Sequence, residues 1–210
     1  HSRYVSFCAY VFLLVMFTKG ALNLFALVEK EFLDFGSGTV VLLATVTMVG
    51  SLPGFLSGGW LIDRYGTRYV FLPCRLGFAV SMIGFVLRDS FPCSVPAALA
   101  LMHFLFGFAG AAAGIAISTE MLALAPTRNR ALSTSLCLSL LLGGASLSGL
   151  LSAWVLDIGV LRETWRFFGN MLSQYDAVVF GYGVMVLLLV VTLGLVPSVL
   201  QQERWPTQVN

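Results

Sequence analysis

Gly59-Trp60-Leu61-Ile62-Asp63-Arg64-Tyr65-Gly66-Thr67-Arg68 joins two long apolar runs, Thr39–Ile62 and Tyr69–Leu87. An acid and two arginines are packed into a very short turn. Gly66 suits a left-handed turn position, which costs a residue without Cβ little. Asp63 is placed to accept hydrogen bonds from the N–H groups of a helix start or from a nearby arginine. Topology alone accounts for arginines in a cytoplasmic turn. The combined spacing G-x-L-x-D-R-x-G-x-R asks for more than topology.

Outward from this turn, six apolar runs cover the chain: Tyr4–Val28, Thr39–Ile62, Tyr69–Leu87, Val95–Thr119, Ala131–Leu156 and Ala177–Val196. Each is long enough for a membrane-spanning helix, which needs about 20 apolar residues. The breaks are polar: Glu29 to Asp34 followed by Gly36 and Gly38, Arg88 to Pro92, Pro126 to Arg130, and Pro197. The 210 residues are 58% hydrophobic and 10% charged, with a mean hydropathy of +0.91. Soluble domains carry roughly 25% charged residues, so a soluble enzyme and a disordered chain are both excluded. The runs lack two-residue alternation, so strands are not expected. The fold class that follows is all-α: a polytopic helical membrane protein with six transmembrane helices.

A net charge of +2 without a basic stripe argues against nucleic acid as a partner. Cys8, Cys74, Cys93 and Cys137 have no C-x-x-C spacing and read as small buried hydrophobes. Two histidines and dispersed cysteines do not make a zinc site. No phosphate-cradling G-x-x-x-x-G-K-[ST] and no Ser/His/Asp set occurs, so neither an enzyme activity nor a cofactor is expected.

Arg3, Arg64, Arg68, Arg128, Arg130 and Arg204 fall on one side of the membrane, with Arg75 early in the third run. Lys30, Arg88, Arg162 and Arg166 fall on the other. The bias places both termini in the cytoplasm. Asp157 to Asp176 is then a long external loop, whose Trp165, Arg166, Phe167 and Phe168 read as an interfacial segment. Small residues mark where helices approach closely. They are Gly50, Gly54 and Gly58 on the second run, Gly107, Gly110 and Gly114 on the fourth, and a Gly/Ser-rich fifth run.

The Gly59–Arg68 spacing resembles the signature loop of the major facilitator superfamily, which joins the second and third helices of each six-helix half. Here it also joins the second and third of six, with Gly59, Asp63, Arg64, Gly66 and Arg68 in place. Thr67 departs from the pattern, since many members carry a basic residue there. The six spans, the Pro126-Thr127-Arg128-Asn129-Arg130 turn and the fifth run fit at the level of pattern. The resemblance implies a secondary transporter of twelve helices, each half built from inverted three-helix repeats. Residues 1–210 would form one such half, with repeats of about 1–88 and 95–200 and a polar tail 198–210. A chain beginning at His1 and ending in a short polar tail points to the C-terminal half. The implied partners are a small-molecule solute, the other six-helix half and the lipid bilayer. The first and fourth helices would line the path, the second and fifth form moving walls, and the third and sixth face lipid.

Charges inside the spans sharpen this reading. A lysine at the centre of a span costs about 2.5–3.5 kcal/mol on insertion scales, so Lys19 faces protein or water. Asn23, four residues on, shares its face. Lys19 and Asn23 are candidate substrate or ion contacts, as is His103, which either titrates or is a satisfied structural residue. Glu120, near the cytoplasmic end of the fourth run, is expected to pair with Arg64 or Arg68, with Asp63 aimed at the start of the fifth helix. The resemblance implies that such a cluster closes the cytoplasmic side.

The function expected is a plasma-membrane permease of bacterial type, moving a small solute by alternating access and driven by an ion gradient. Uptake and efflux are both open. A transporter-like scaffold or sensor without transport is the alternative. A fragment of a seven-helix receptor fits less well: Asp63-Arg64-Tyr65 would have to end a third helix, and Gly66 and Arg68 would be unexplained.

Overall fold

A computed structural model describes residues 2–159, 161, 164–167 and 170–194. Arg162, Phe168, the end of the sixth run and the tail 198–210 lie outside the described residues. The helices are α1 (Ser2–Leu27), α2 (Ser37–Tyr65), α3 (Thr67–Val86), α4 (Val95–Leu124), α5 (Arg130–Asp157) and α6 (Gln174–Gly194). The first five are long and apolar enough to cross a membrane, and α6 is apolar over the shorter stretch Gln174–Val190.

Two ends differ from the sequence expectation. α1 does not stop at Val28 but continues through a π-helical turn, Val28–Phe32. The turn ends where Leu33 N–H donates to the Val28 carbonyl and Phe35 N–H to that of Glu29, each at 2.9 Å. Glu29, read from its polar neighbours as loop, is thereby buried. At the other end, a single residue separates α2 from α3: Gly66 takes φ +89° and its N–H donates to the Ile62 carbonyl at 2.8 Å. The one-residue reversal needs the backbone freedom that the sequence supplies there.

The packing is built on two similar seams. α2 buries Leu43, Gly50, Gly54 and Gly58, and α5 buries Cys137, Gly144, Ser148 and Ser152, each 94 positions further on. On α2, a side chain at Gly50 would strike the Phe104 carbonyl of α4, and one at Gly54 the Phe108 carbonyl. On α5, a Cβ at Gly144 would come within 2.7 Å of the Phe12 carbonyl of α1. Residues without bulk let the backbones touch, which is how helices associate where no water drives them together. α1 thus packs on α5 and α6, α4 packs on α2 and α3, and α3 meets α6. Exchanging α1 with α4, α2 with α5 and α3 with α6 reproduces these pairings.

The fourth-helix glycines do not act as one stripe. Gly107 abuts the Thr47 carbonyl of α2, whereas Gly110 meets the Phe78 ring of α3 at 3.8 Å and Gly114 has nothing within 4 Å. α3, expected to face lipid, is the most enclosed of the five long spans, although Tyr69, Leu72, Leu76 and Val80 form an exposed edge. The largest exposed apolar faces belong to α2 and α5 instead.

The connection between α5 and α6 holds a β-hairpin, β1 (Thr164–Phe167) and β2 (Asn170–Ser173), where no strand was expected. Four-residue strands are too short to announce themselves by alternation. The hairpin buries Leu172 in the core, and Trp165 Nε1–H donates to the Ser173 carbonyl at 3.2 Å, so Trp165 packs on protein. Cys8, Cys74 and Cys137 are buried as expected, but Cys93, in the polar break before α4, is exposed.

Candidate functional site

Lys19 lies near the middle of the apolar helix formed by α1 and its π turn, and it is exposed, as is Asn23 one turn on. Ala26 continues the same exposed face. The opposite side of α1 carries Leu14, Ala21, Leu24 and Phe25 into the core. Among the described residues Lys19 forms no ion pair, and the buried carboxylates are committed elsewhere: Glu29 to His103 and Asp176 to Arg88. Two apolar grooves lie along the α1–α5 side, one of about 240 Å³ beside Tyr4, Cys8 and Leu140, the other of about 510 Å³ beside Phe12, Met16 and Trp154. Neither is lined by Lys19 or Asn23.

His103 is buried and engaged through both ring nitrogens. Nε2 lies 2.6 Å from Glu29 Oε1, and Nδ1 lies 2.8 Å from Thr47 Oγ1. Three elements meet here: the π turn after α1, α4 and α2. The surroundings are aromatic. Phe25 stacks on Phe85 with centroids 4.0 Å apart, and the histidine ring meets Phe25 edge-on at 5.4 Å. Gly107, one turn along α4, lets α2 come close enough for Thr47 to reach the imidazole.

A second buried pair joins α3 to α6. Arg88 Nη1 donates to Asp176 Oδ1 at 2.6 Å and Nη2 to Oδ2 at 3.1 Å. The local sequence Ser173-Gln174-Tyr175-Asp176 forms a capping box. Ser173 N–H donates to Asp176 Oδ2 at 2.9 Å, and Asp176 N–H donates to Ser173 Oγ at 3.2 Å. The carboxylate that caps α6 is therefore the one that receives the guanidinium. Sequence reading placed Arg88 in a loop as a topological charge, but it is fully buried against the rings of Phe85 and Phe32.

The signature loop is arranged differently from the expected charge cluster. Glu120 Oε1 accepts a hydrogen bond from Thr67 Oγ1 at 2.5 Å, and no arginine pairs with it among the described residues. The residue noted as a departure from the family pattern thus supplies the partner. Arg64 instead lies over the rings of Trp60 and Tyr65, at 5.4 and 5.6 Å from their centroids. Asp63 and Arg68 are exposed, and Asp63 makes no hydrogen bond to the first turn of α5 among the described residues. Gly59 has open space where a side chain would go. Arg75, two turns into α3, is buried with its guanidinium over Tyr10 at 4.4 Å and Phe71 at 5.1 Å, and its Nε has no partner.

Glu29, Arg88, Asp176 and Thr47 are the residues that sequence reading missed. Two of these had a local signal: Glu29 is an acid one residue beyond an apolar run, and Asp176 completes the Ser173-x-x-Asp176 capping pattern. Among the described residues, no group of three His, Cys, Asp or Glu side chains is arranged to hold a metal ion.

No protein-family model and no curated protein matches the sequence. Solved structures do match in fold. The inward-open xylose transporter XylE from E. coli superposes with a TM-score of 0.72 at 13% identity, covering 92% of this chain and 48% of that one. The nucleoside transporter NupG superposes with a TM-score of 0.71 at 15% identity, covering 94% of this chain and 49% of that one. The chain thus spans about half the length of the transporters it matches, and it shares the helical fold of about half of each.

Proposed function

We propose that the chain is a six-helix half of a secondary active transporter. It moves a small solute across the plasma membrane by alternating access, against a second six-helix half and under an ion gradient, with both termini cytoplasmic. The observation that carries this reading is the shared fold with one half of two solute transporters. The paired seams of α2 and α5 support two three-helix repeats of about 1–88 and 95–200. The exposed apolar faces of α2 and α5 suit the second half and lipid.

In this reading α1 lines the solute path with Lys19 and Asn23. A lone ammonium at mid-span, beside an amide that can also donate, favours a solute bearing a carboxylate or another anionic group. The turn from Gly59 to Arg68, with Glu120, forms the cytoplasmic gate, closing through the Thr67–Glu120 hydrogen bond and the exposed charges of Asp63, Arg64 and Arg68. The test is gradient-dependent flux in vesicles containing the intact protein, screened with matched anionic and neutral solutes. Binding without flux, for every solute and gradient, would identify a scaffold or sensor instead.

A further inference from the structure

We propose that Glu29, His103 and Thr47 together bind one exchangeable proton, and that this proton latches the outer end of α1 onto α2 and α4. The role as a latch rests on the alternating-access reading above; the proton site itself does not.

The proton balance follows from the hydrogen bonds. With a neutral imidazole, Nε2–H donates to the Glu29 carboxylate at 2.6 Å, and Nδ1 accepts from the Thr47 hydroxyl at 2.8 Å. The set then carries one negative charge. When one proton arrives from water, both ring nitrogens donate: Nε2–H to Glu29 and Nδ1–H to Thr47 Oγ1. The Thr47 hydroxyl turns its own hydrogen to the Leu43 carbonyl, 3.4 Å away. A hydroxyl can donate or accept and rotates to suit. Every polar hydrogen has an acceptor in both forms, no other bond changes, and the protonated set is neutral.

Burial decides which form the closed structure prefers. Glu29 and His103 are almost inaccessible, and the walls are the rings of Phe25, Phe85 and Phe106. An uncompensated charge in such a place is costly. Among the described residues no other charged group bonds to the site. On the π turn, Lys30 and Glu31 are exposed, and Glu31 accepts from Tyr175 O–H at 2.6 Å. At the ends of α3 and α6, Arg88 and Asp176 are committed to each other, and Asp34 and Asp89 are exposed. On α2 and α4 the site is faced by Thr47 and His103 alone among charged or hydroxyl groups bonded to it. Loss of the proton therefore requires water to reach Glu29.

Two measurements on the intact protein in vesicles test this. The chain has two histidines, so the ring-nitrogen resonances of His103 in ¹⁵N-histidine-labelled protein are assigned by their loss in His103→Gln. The wild-type ring is expected to show both nitrogens protonated at acid pH. Glu29→Gln and the gentler Thr47→Val are each expected to remove that form at the same pH. Alkylation from outside of an Ala26→Cys thiol, relative to that of exposed Cys93, is expected to be about tenfold lower at acid than at alkaline pH. In the Glu29→Gln background that ratio is expected to stay constant. A ring that remains singly protonated throughout overturns the proton site. A doubly protonated ring with a wild-type ratio indifferent to pH overturns the latch. A thiol reached from only one face of the membrane at every pH counts against alternating access itself, while the ring resonances still decide the proton site.

Discussion

Arg88 and Asp176 meet through two hydrogen bonds in a place that solvent does not reach, tying the short turn after α3 to the first turn of α6. Removing one partner of such a pair strands the other. Asp176→Asn or Arg88→Met is expected to destabilise the protein by about 3–5 kcal/mol. The double variant Arg88→Met with Asp176→Leu is expected to lose clearly less than the sum of its singles. Denaturant unfolding in detergent, arranged as a double-mutant cycle, measures this. Single variants within about 1 kcal/mol of wild type would be incompatible with a buried pair.

The glycines separate by what surrounds them. Gly107→Ala drives a methyl group into the Thr47 carbonyl and is expected to cost about 1–3 kcal/mol or more, because backbone has to shift. Gly114→Ala meets open space and is expected to be neutral or to gain up to about 1 kcal/mol from helix propensity. Thermal unfolding of the two variants side by side is the check, and equal behaviour would refute the α2–α4 seam.

At the turn between α2 and α3, Thr67→Val removes the only hydroxyl bonded to Glu120 among the described residues. Bonds to a charged acceptor contribute about 1.5–3 kcal/mol when buried and less when partly exposed, as here. The expected outcome is a loss of about 1 kcal/mol, with faster alkylation of a cysteine introduced at Ser118, which is exposed on α4. Arg68→Ala is expected to leave both unchanged. If Arg68→Ala matches Thr67→Val, an arginine and not the threonine holds Glu120.

For the proposed solute path, Lys19→Gln keeps a hydrogen-bond donor on a slightly shorter side chain but removes the charge. Anionic solutes are expected to bind about 10–100-fold more weakly, in line with the loss of a charge-assisted hydrogen bond. Neutral analogues are expected to change little. Equal weakening of both classes, measured by binding to the intact protein, would assign Lys19 a structural role.

Much of the architecture is readable in the chain because span length and the Gly59–Arg68 turn are local signals. The residues that were misread fail for a common physical reason: their partners are remote. Arg88 looks like a topological charge, since Asp176 lies 88 positions away and nothing near either residue points to the other. Glu29 sits in the polar run to Asp34, which reads as a loop until a π turn swings the acid inward. The Glu120 cluster was drawn from charge alone, which favours arginine over threonine, whereas Arg64 finds the rings of its own helix end closer at hand. Lys19 and Asn23 stand out in a mostly apolar helix, and both lie exposed near its middle.

The order in which the chain is synthesised gives the Arg88–Asp176 bond a further significance. When the ribosome has delivered α3 to the insertion machinery, Arg88 has no carboxylate waiting for it, and it gains one only when the start of α6 emerges. The bond therefore closes only after every helix before α6 has been made, which places it late in the assembly of the bundle.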